Sequence, residues 1–484
     1  MDIREFAIGK GVNQFEFGML STVFVVGITG VAILPFYVYL FGAGIFWEYL
    51  GIICCLSLVW FFESYKLMRY SRRHAEVLTL PSYFKYRFKD SNEILRLFSS
   101  TEVITLSVVI AALLLKEIGI IMSMVFGWDS MLTSFAAAFI LAFYLGWYGM
   151  ESLIKTAIPK GVLMLIIIAS ICLYIFLTVG PYQLVRNMMS TDITGSVSEY
   201  INILYHDGEP LMLEDYVSLL SMGFLVSGMP FMLTSFFVSR RARTINKGRQ
   251  VMIIYIILFF VAAACLGGLS RGYLYPEKIT KSLSDYVRIF YEKLNSTDGM
   301  GPVMAVEFMI LMMLGLICSI EGALHATITV LYNDIINSGR LIRIRKGKER
   351  LYLICLAYIV SMLSFMVGQL INSISINTII VFIGTLGCSV SPVVFMSLFW
   401  KRMNKYGCMA GLVAGLISVP FLKYATLFNY SGQQASLCDI LGVNSVLPSI
   451  MVSFLVIIVG SIITTKPDEA VVKEYDDVKH RILN

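Results

Sequence analysis

The chain has 484 residues, of which 57% are hydrophobic and only 14% charged, with a formal net charge of +6. Soluble domains carry roughly 25% charged residues, so this composition excludes a soluble enzyme and indicates a polytopic membrane protein. The nine cysteines show no paired spacing and lie mostly in apolar runs, which excludes a disulfide framework. The modest positive charge requires no nucleic-acid partner.

The apolar runs predict an all-α protein with about twelve transmembrane helices, because a helix needs about 20 apolar residues to cross a bilayer. Residues 1–14 are polar and lead straight into the first run, so we expect no cleavable signal peptide. In chain order the runs cover residues 17–44, 46–67, 94–126, 131–150, 155–179, 216–238, 249–272, 302–334, 350–371, 375–400, 406–427 and 445–464.

Basic residues concentrate in alternate loops, which predicts that both termini face the cytoplasm. The predicted outer loop 180–215 holds one basic residue, Arg186, against six acidic ones, and the other outer loop, 273–300, is mixed. The predicted inner loops hold Lys66, Arg69, Arg72, Arg73, Lys85, Arg87, Lys89, Arg240, Arg241, Arg243, Lys247, Arg249, Arg340, Arg343, Arg345, Lys346, Lys348, Arg350, Lys401, Arg402 and Lys405.

The most specific stretch is Ser391–Leu416, SPVVFMSLFWKRMNKYGCMAGLVAGL. It combines a proline within a helix, a basic turn, and Gly407, Gly411 and Gly415 at four-residue steps, a pattern that lets another helix approach closely. This run resembles the second signature of the sodium/solute symporter family, a group that includes sodium/proline symporters and sodium/glucose cotransporters. Stretches similar to other parts of that family follow in the same order: Leu34–Gly42 (LPFYVYLFG), Thr79–Phe88 (TLPSYFKYRF), Gly228–Pro230 and Arg240–Arg249.

The resemblance implies two inverted five-helix repeats, each with a discontinuous first helix, and binding sites near the membrane midplane. It divides the chain into a first repeat at 1–180, an outer loop at 181–215, a second repeat at 216–400 with an outer loop at 273–300, two additional helices at 401–464, and a cytoplasmic tail at 465–484.

The resemblance also implies a sodium site between the first helix of repeat one and the third helix of repeat two. It assigns two main-chain carbonyls to Val23 and Val26, and the remaining ligands to Gly315, Cys318 and Ser319. Hard cations prefer oxygen ligands, so the thiol of Cys318 is a poor ligand where the family has a hydroxyl. The alternative is a former site that now only packs.

The fifth span carries two lysines where the family pattern differs. Ala157 stands where the family has an aspartate beside the ion path, and Lys160 replaces a neutral polar residue. Because an ammonium can occupy a cation site, one hypothesis is that Lys160 (or Lys155) partly substitutes for the ion, which would give proton-coupled or uncoupled transport. The alternative is that both lysines extend to lipid headgroups.

Two carboxylates lie inside apolar spans, where ionisable groups are costly and usually functional. Glu102 in the third span is predicted to be a coupling residue, and Glu321 in the eighth to bind substrate or act in gating. The alternative is that each carboxylate pairs with a serine, tyrosine or lysine in the packed bundle. His325, four residues after Glu321, is expected to be a packed histidine, since four histidines in the whole chain cannot assemble a metal cluster within the membrane.

The sixth span contains Ser227, Gly228 and Pro230, which predict a helix break near its middle and hence a substrate-binding or gating segment. A purely structural kink is the alternative. Met229 and Ser235 stand where the family has a glutamine and an arginine, so we expect a solute unlike the family's better-known ones.

These features predict a secondary active transporter, and not an enzyme, that imports a small organic solute with sodium by alternating access. We expect it in the plasma membrane, as a bacterial inner-membrane protein, with the solute and the lipid bilayer as its partners and no obligatory protein partner. Two alternatives stay open: a transporter-fold sensor or regulatory protein with a degenerate ion site, to which Cys318, Ala157 and Met229 point, and a proton-coupled or uncoupled transporter.

Overall fold

The computed structural model describes residues 2–189, 197–277, 279, 282–337, 347–371, 376–426, 428–430 and 433–480, and this part of the chain is almost entirely helical. The helices before the middle of the chain are α1 (Ile3–Ile8), α2 (Gln14–Val26), α3 (Leu34–Phe41), α4 (Phe46–Phe62), α5 (Ser64–Arg73), α6 (Leu80–Phe88), α7 (Ile94–Phe126), α8 (Ser130–Tyr148), α9 (Met150–Val179), α10 (Pro181–Met189) and α11 (Val197–Ile201).

The later helices are α12 (Leu213–Ser221), α13 (Phe224–Ser227), α14 (Pro230–Val238), α15 (Ala242–Leu274), α16 (Leu283–Ser296), α17 (Gly301–Val330), α18 (Glu349–Leu370), α19 (Ile376–Phe399), α20 (Lys405–Tyr424), α21 (Leu437–Leu441), α22 (Val446–Ile463) and α23 (Glu469–His480). Two antiparallel hairpins join β1 (Tyr205–His206) to β2 (Glu209–Pro210) and β3 (Phe428–Tyr430) to β4 (Gln433–Ala435). Shorter helical segments of other types cover Gly27–Ile33 and Leu331–Ile336 (π) and Gly42–Ile45 (3₁₀).

The all-α, polytopic character of the fold is confirmed. Within the described residues, ten helices are long and apolar enough to cross a membrane, or eleven if the bent pair of α12–α13 with α14 forms one span. This count takes Thr29–Phe62 as one run, whereas the sequence predicted two spans there. The two parts of the run meet at Gly42, whose φ of 79° suits glycine, and a Cβ there would lie 2.5 Å from the Tyr200 carbonyl oxygen. The exact number of twelve stays a prediction.

The first span differs in detail from the predicted discontinuous helix. The chain does not unwind but takes π-helical bonding over Gly27–Ile33. Pro35 has no N–H to continue the usual ladder, and the preceding N–H of Leu34 bonds to the Thr29 carbonyl oxygen five residues earlier. The same oxygen accepts the Tyr49 hydroxyl at 3.1 Å, which binds α4 to this point.

The sixth span contains the predicted break. Helix α13 ends at Ser227, Met229 is extended with ψ of 123°, and α14 begins with Pro230 at its first position. The two parts of the span are bent by 53°. Proline suits the start of a helix, where its missing N–H has no partner to lose.

The N-terminal helix, the α5–α6 segment and the C-terminal helix share one face of the bundle. Ala7 of α1 and Thr79 before α6 line the same small cavity. Helix α23 docks on the α5–α6 segment through Glu474, whose carboxylate lies 2.9 Å from His74 Nε2 and 3.2 Å from Arg73 Nε. Among the predicted inner basic residues, Arg340, Arg343, Arg345 and Lys346 lie outside the described residues.

Candidate functional site

The first span and α17 approach each other through two glycines. A Cβ on Gly27 would lie 2.5 Å from the Gly315 carbonyl oxygen and 2.8 Å from Ser319 Oγ. A Cβ on Gly315 would likewise lie 3.0 Å from the Gly27 carbonyl oxygen. Only a residue without a side chain permits this contact at either position, so the two helices from which the sodium ligands were predicted meet backbone to backbone.

The predicted ligands lie on both sides of this contact. Val23 precedes Gly27 by one turn, and its carbonyl oxygen accepts the Gly27 N–H. Val26 is fully buried immediately before the π-helical segment. On α17, Ser319 Oγ donates to the Gly315 carbonyl oxygen at 3.1 Å. The contact between Gly27 and Gly315 therefore brings the two helices that carry the predicted ligands together, while the role of these residues as ligands stays a prediction.

Lys160 and Glu321 form a buried ion pair that links α9 to α17. Lys160 Nζ lies 2.7 Å from Glu321 Oε1 and 2.6 Å from Oε2. The lysine side chain is 16% exposed and the glutamate 5%. The alternative of lipid-facing lysines therefore does not hold for Lys160, whereas Lys155 is 69% exposed and pairs with Glu151 one turn away. Glu321 is paired with a lysine inside the bundle, which is the alternative that the sequence offered for this carboxylate.

The ion pair and two predicted sodium ligands share one cavity. Its volume is about 20 Å³, and its lining includes Val23, Cys318, Ala157, Lys160 and Glu321. A cavity needs roughly 10–15 Å³ to hold one water molecule, so the space fits a single water or a small ion. Two residues that the sequence had placed in separate roles, the lysine and the glutamate, thus lie beside the same ligand set.

Aromatic side chains close the cavity on the side of α1. The rings of Phe24 and Phe231 have centroids 5.2 Å apart, and both residues line the cavity. Phe231 also contacts His325, whose Nε2 lies 3.1 Å from the Phe6 carbonyl oxygen. The Phe6 ring stacks on the imidazole at 5.4 Å. His325 is therefore a packed histidine that holds the N-terminal helix.

The break in the sixth span, at Ser227 and Gly228, lies against α19. Ser227 Oγ is 2.9 Å from Ser391 Oγ. A Cβ on Gly228 would lie 2.6 Å from the Gly387 carbonyl oxygen. Pro230 lines a second small cavity, of about 10 Å³. The break itself is confirmed, and its substrate role stays a prediction.

Glu102 lies apart from the other candidate residues. It is buried on α7, and one carboxylate oxygen accepts the Ser389 hydroxyl of α19. Its other oxygen, Oε2, has no hydrogen-bond partner among the described residues. The carboxylate does not line the cavity of the ion pair, so the structure does not bring the two predicted coupling residues, Glu102 and Lys160, together.

Sequence reasoning missed a second buried ion pair, which lies between the start of α7 and the segment that follows α17. Arg96 Nε lies 2.8 Å from Asp334 Oδ1, and Thr79 Oγ1 donates to Asp334 Oδ2 at 2.5 Å. The signal was the position of Thr79 at the start of the TLPSYF motif, together with a carboxylate at the end of an apolar run. The sequence analysis used only the motif, as a point of family similarity.

Comparisons with known sequences match nearly the whole chain to one family of transporters. A model described as the "Sodium:solute symporter family" matches residues 8–415. The high-affinity proline transporter PutP of Bacillus subtilis (strain 168) is 24% identical over 433 residues, which cover 89% of this chain and 86% of that protein. A sodium/proline symporter of Staphylococcus aureus is 22% identical over 456 residues, covering 92% and 84% of the two chains.

Solved structures show the same fold. A Na⁺-coupled sialic acid symporter in a substrate-bound, outward-open state superposes with a TM-score of 0.76 at 13% identity, covering 96% of this chain and 93% of the other. MHP1, a nucleobase-cation-symport-1 family transporter in a closed conformation, gives a TM-score of 0.54 at 11% identity and covers 97% of each chain.

Proposed function

The chain belongs to the sodium:solute symporter family, and on that premise we propose that it imports a small organic solute in symport with sodium by alternating access. It is a multi-pass membrane transporter and not an enzyme. The observation that carries the proposal is the contact between Gly27 and Gly315, because it brings main-chain and hydroxyl oxygens of the first span and α17 together deep in the bundle.

We propose that the sodium ligands are the carbonyls of Val23, Val26 and Gly315 and the side chains of Ser319 and Cys318. The carbonyls and the Ser319 hydroxyl are oxygen donors of the kind that hard cations prefer. The Cys318 thiol is the weak member of the set. Its position in the small cavity beside Val23 nevertheless supports its assignment to the same site.

We propose that the solute binds beside the break between α13 and α14. A helix that ends inside the bundle exposes main-chain groups at membrane depth, as solute sites in such transporters require. At the break, Ser227 supplies a hydroxyl and Gly228 a main chain without a side chain. Pro230 prevents α14 from continuing α13 as one helix. Because two relatives are named for proline transport, proline is the first solute to test.

We propose that the chain lies in the bacterial inner membrane with both termini in the cytoplasm. The positive-inside rule supports this orientation, since Arg73, Lys89 and Lys401 lie on the face where α23 docks.

The proposed division into repeats at 1–180 and 216–400 is supported by the position of a helix irregularity in the first span of each, at Gly27–Ile33 and at Gly228.

The test is solute uptake by proteoliposomes that contain the purified full chain. Proline, other amino acids, sugars and carboxylates are offered under an inward sodium gradient or an equal potassium gradient. We expect one solute class to accumulate only with sodium and only in vesicles that contain the protein. Equal uptake under both gradients would contradict sodium coupling, and uptake no faster than in protein-free vesicles for every solute would contradict transport of these classes.

A further inference from the structure

One ammonium within the bundle, that of Lys160, faces a cavity that two of the five proposed sodium ligands also line. Lys160 Nζ is bonded to both carboxylate oxygens of Glu321, at 2.7 and 2.6 Å. Among the described residues, no other acceptor lies within hydrogen-bond distance of this nitrogen, and the Tyr144 ring lies 5.5 Å away. Val23 and Cys318, two of the proposed ligands, line the cavity into which the pair faces.

The position of this ammonium bears directly on sodium binding. Two positive charges a few ångströms apart repel each other strongly inside a protein, where the effective dielectric constant is far below that of water. The Glu321 carboxylate neutralises one positive charge and not two. An ammonium held at this carboxylate therefore opposes the binding of sodium in the adjacent cavity.

We propose that Lys160 is a built-in cation that competes with sodium for Glu321 and for the cavity beside it, and so sets the sodium affinity of the site. The inference rests on the proposed function, because it takes sodium as the coupling ion. It assigns Glu321 two alternative partners: the Lys160 ammonium in the conformation described above, and sodium when the lysine side chain has moved out.

The ligand chemistry of the site supports this exchange. A carboxylate oxygen is a strong ligand for a hard cation, and it compensates for the thiol that Cys318 contributes in place of an oxygen. The exchange also conserves charge, since one monovalent cation replaces another beside the same carboxylate. The flexible four-carbon stem of lysine allows its ammonium to leave without movement of the α9 main chain.

Sodium binding can be measured without knowledge of the solute. Thermal unfolding of the purified full chain is followed as sodium chloride replaces choline chloride at constant ionic strength, and the sodium concentration at half-maximal stabilisation is recorded. Lys160→Gln is compared with the wild type and with Lys155→Gln, a matched control on the same helix whose ammonium is exposed. The double variant Lys160→Gln with Glu321→Gln removes both charges.

We expect Lys160→Gln to lower the half-maximal sodium concentration at least tenfold, and Lys155→Gln to leave it unchanged. The double variant should not show this increase in sodium affinity, because the carboxylate that sodium would use is absent. An unchanged sodium response in Lys160→Gln overturns the proposal, as does a gain that persists in the double variant.

A second measurement uses the wild type and so does not depend on the folding of a variant with an unpaired buried carboxylate. Acetic anhydride modifies free amines, and the extent of modification at Lys160 and Lys155 is read by mass spectrometry with and without sodium. Sodium should increase modification of Lys160 and not of Lys155. Equal modification of Lys160 in sodium and in choline overturns the proposal.

The two proposals fail in different experiments. If the proposed function is wrong, wild-type uptake does not depend on the sodium gradient. If only the role of Lys160 is wrong, wild-type uptake remains sodium-driven while Lys160→Gln shows the wild-type sodium response.

Discussion

Arg96 Nε lies 2.8 Å from Asp334 Oδ1, and this buried pair joins α7 to the π-helical segment Leu331–Ile336 that follows α17. Thr79, which caps α6, donates to the other carboxylate oxygen at 2.5 Å. The Arg96 guanidinium also bonds the Asn333 carbonyl oxygen at 2.7 Å. One carboxylate therefore holds three elements together at the face where α1 and α23 dock.

Asp334→Asn should destabilise the protein strongly, because it removes the fully buried carboxylate from Arg96 and leaves the guanidinium only Glu93, at 3.2 Å, as a charged partner. Breaking a buried pair costs about 3–5 kcal/mol. The control is Glu292→Gln, which breaks an exposed pair with Arg288 on α16, a change typically worth 1 kcal/mol or less. Chemical unfolding in detergent measures both, and equal stability losses in the two variants would contradict a structural role for Asp334.

Gly27→Ala should force the first span away from α17, since the new methyl group would meet the Gly315 carbonyl oxygen at 2.5 Å. Overpacking of this kind costs about 1–3 kcal/mol. Gly268→Ala on α15 is the matched control, because its added carbon has no neighbour within 4 Å. We expect Gly27→Ala to lose sodium-dependent uptake and Gly268→Ala to retain it. Retention in both would show that the close contact is unnecessary.

The docking of α23 should weaken in acid. Burial alone would raise the pKa of Glu474, but its hydrogen bond to His74 and the charges of Lys89 and Arg73 outweigh burial and hold the pKa below its ordinary value of 4.5. A carboxyl with a lowered pKa stabilises the folded state fully above the ordinary value, and the contribution is lost as the pH falls through the lowered pKa.

Hydrogen exchange of the α23 amides measures this docking. Protection should be constant above about pH 5 and should fall below it. Glu474→Gln should reduce protection at neutral pH, while Glu469→Gln, an exposed residue of the same helix, should not. Protection that is the same in wild type and Glu474→Gln would contradict the assigned role.

Phe6→Ala should loosen the N-terminal helix from the site. Phe6 is fully buried and stacks on His325, and removal of such a ring typically costs about 3–5 kcal/mol. We expect a water-soluble thiol reagent to label Cys318 of the purified protein faster in this variant, as read by mass spectrometry of its peptide. Phe15→Ala, at an exposed position, is the control. Unchanged labelling in Phe6→Ala would mean that α1 does not restrict access.

The sequence predicted those features that depend on local chemistry. Hydropathy located most spans, and Gly228 with Pro230 predicted the break in the sixth span because both residues disfavour a continuous helix. The irregularity in the first span was predicted less well. Pro35 is compatible with an unwound segment and also with the π-helical segment that the structure contains.

The pairings between distant residues were not predictable from the chain alone. Lys160 and Glu321 are 161 residues apart, and their contact depends on the rotation of α9 and α17 about their axes, which apolar runs do not specify. The docked terminal helices were missed for another reason. They are short and partly charged, so their apolar faces, such as that of Phe6, leave no signal in a search for membrane spans.

Sodium is proposed to bind where α17 meets the first span, and the binding of radioactive sodium to the purified protein measures this site without a transport assay. Ser319→Ala removes a proposed ligand, while Ser364→Ala removes a matched hydroxyl that is equally buried and likewise bonded to the carbonyl four residues earlier on α18. We expect sodium affinity to fall at least tenfold in Ser319→Ala, the effect of losing about 1.4 kcal/mol of binding free energy, and to be unchanged in Ser364→Ala. Wild-type affinity in Ser319→Ala would contradict the site.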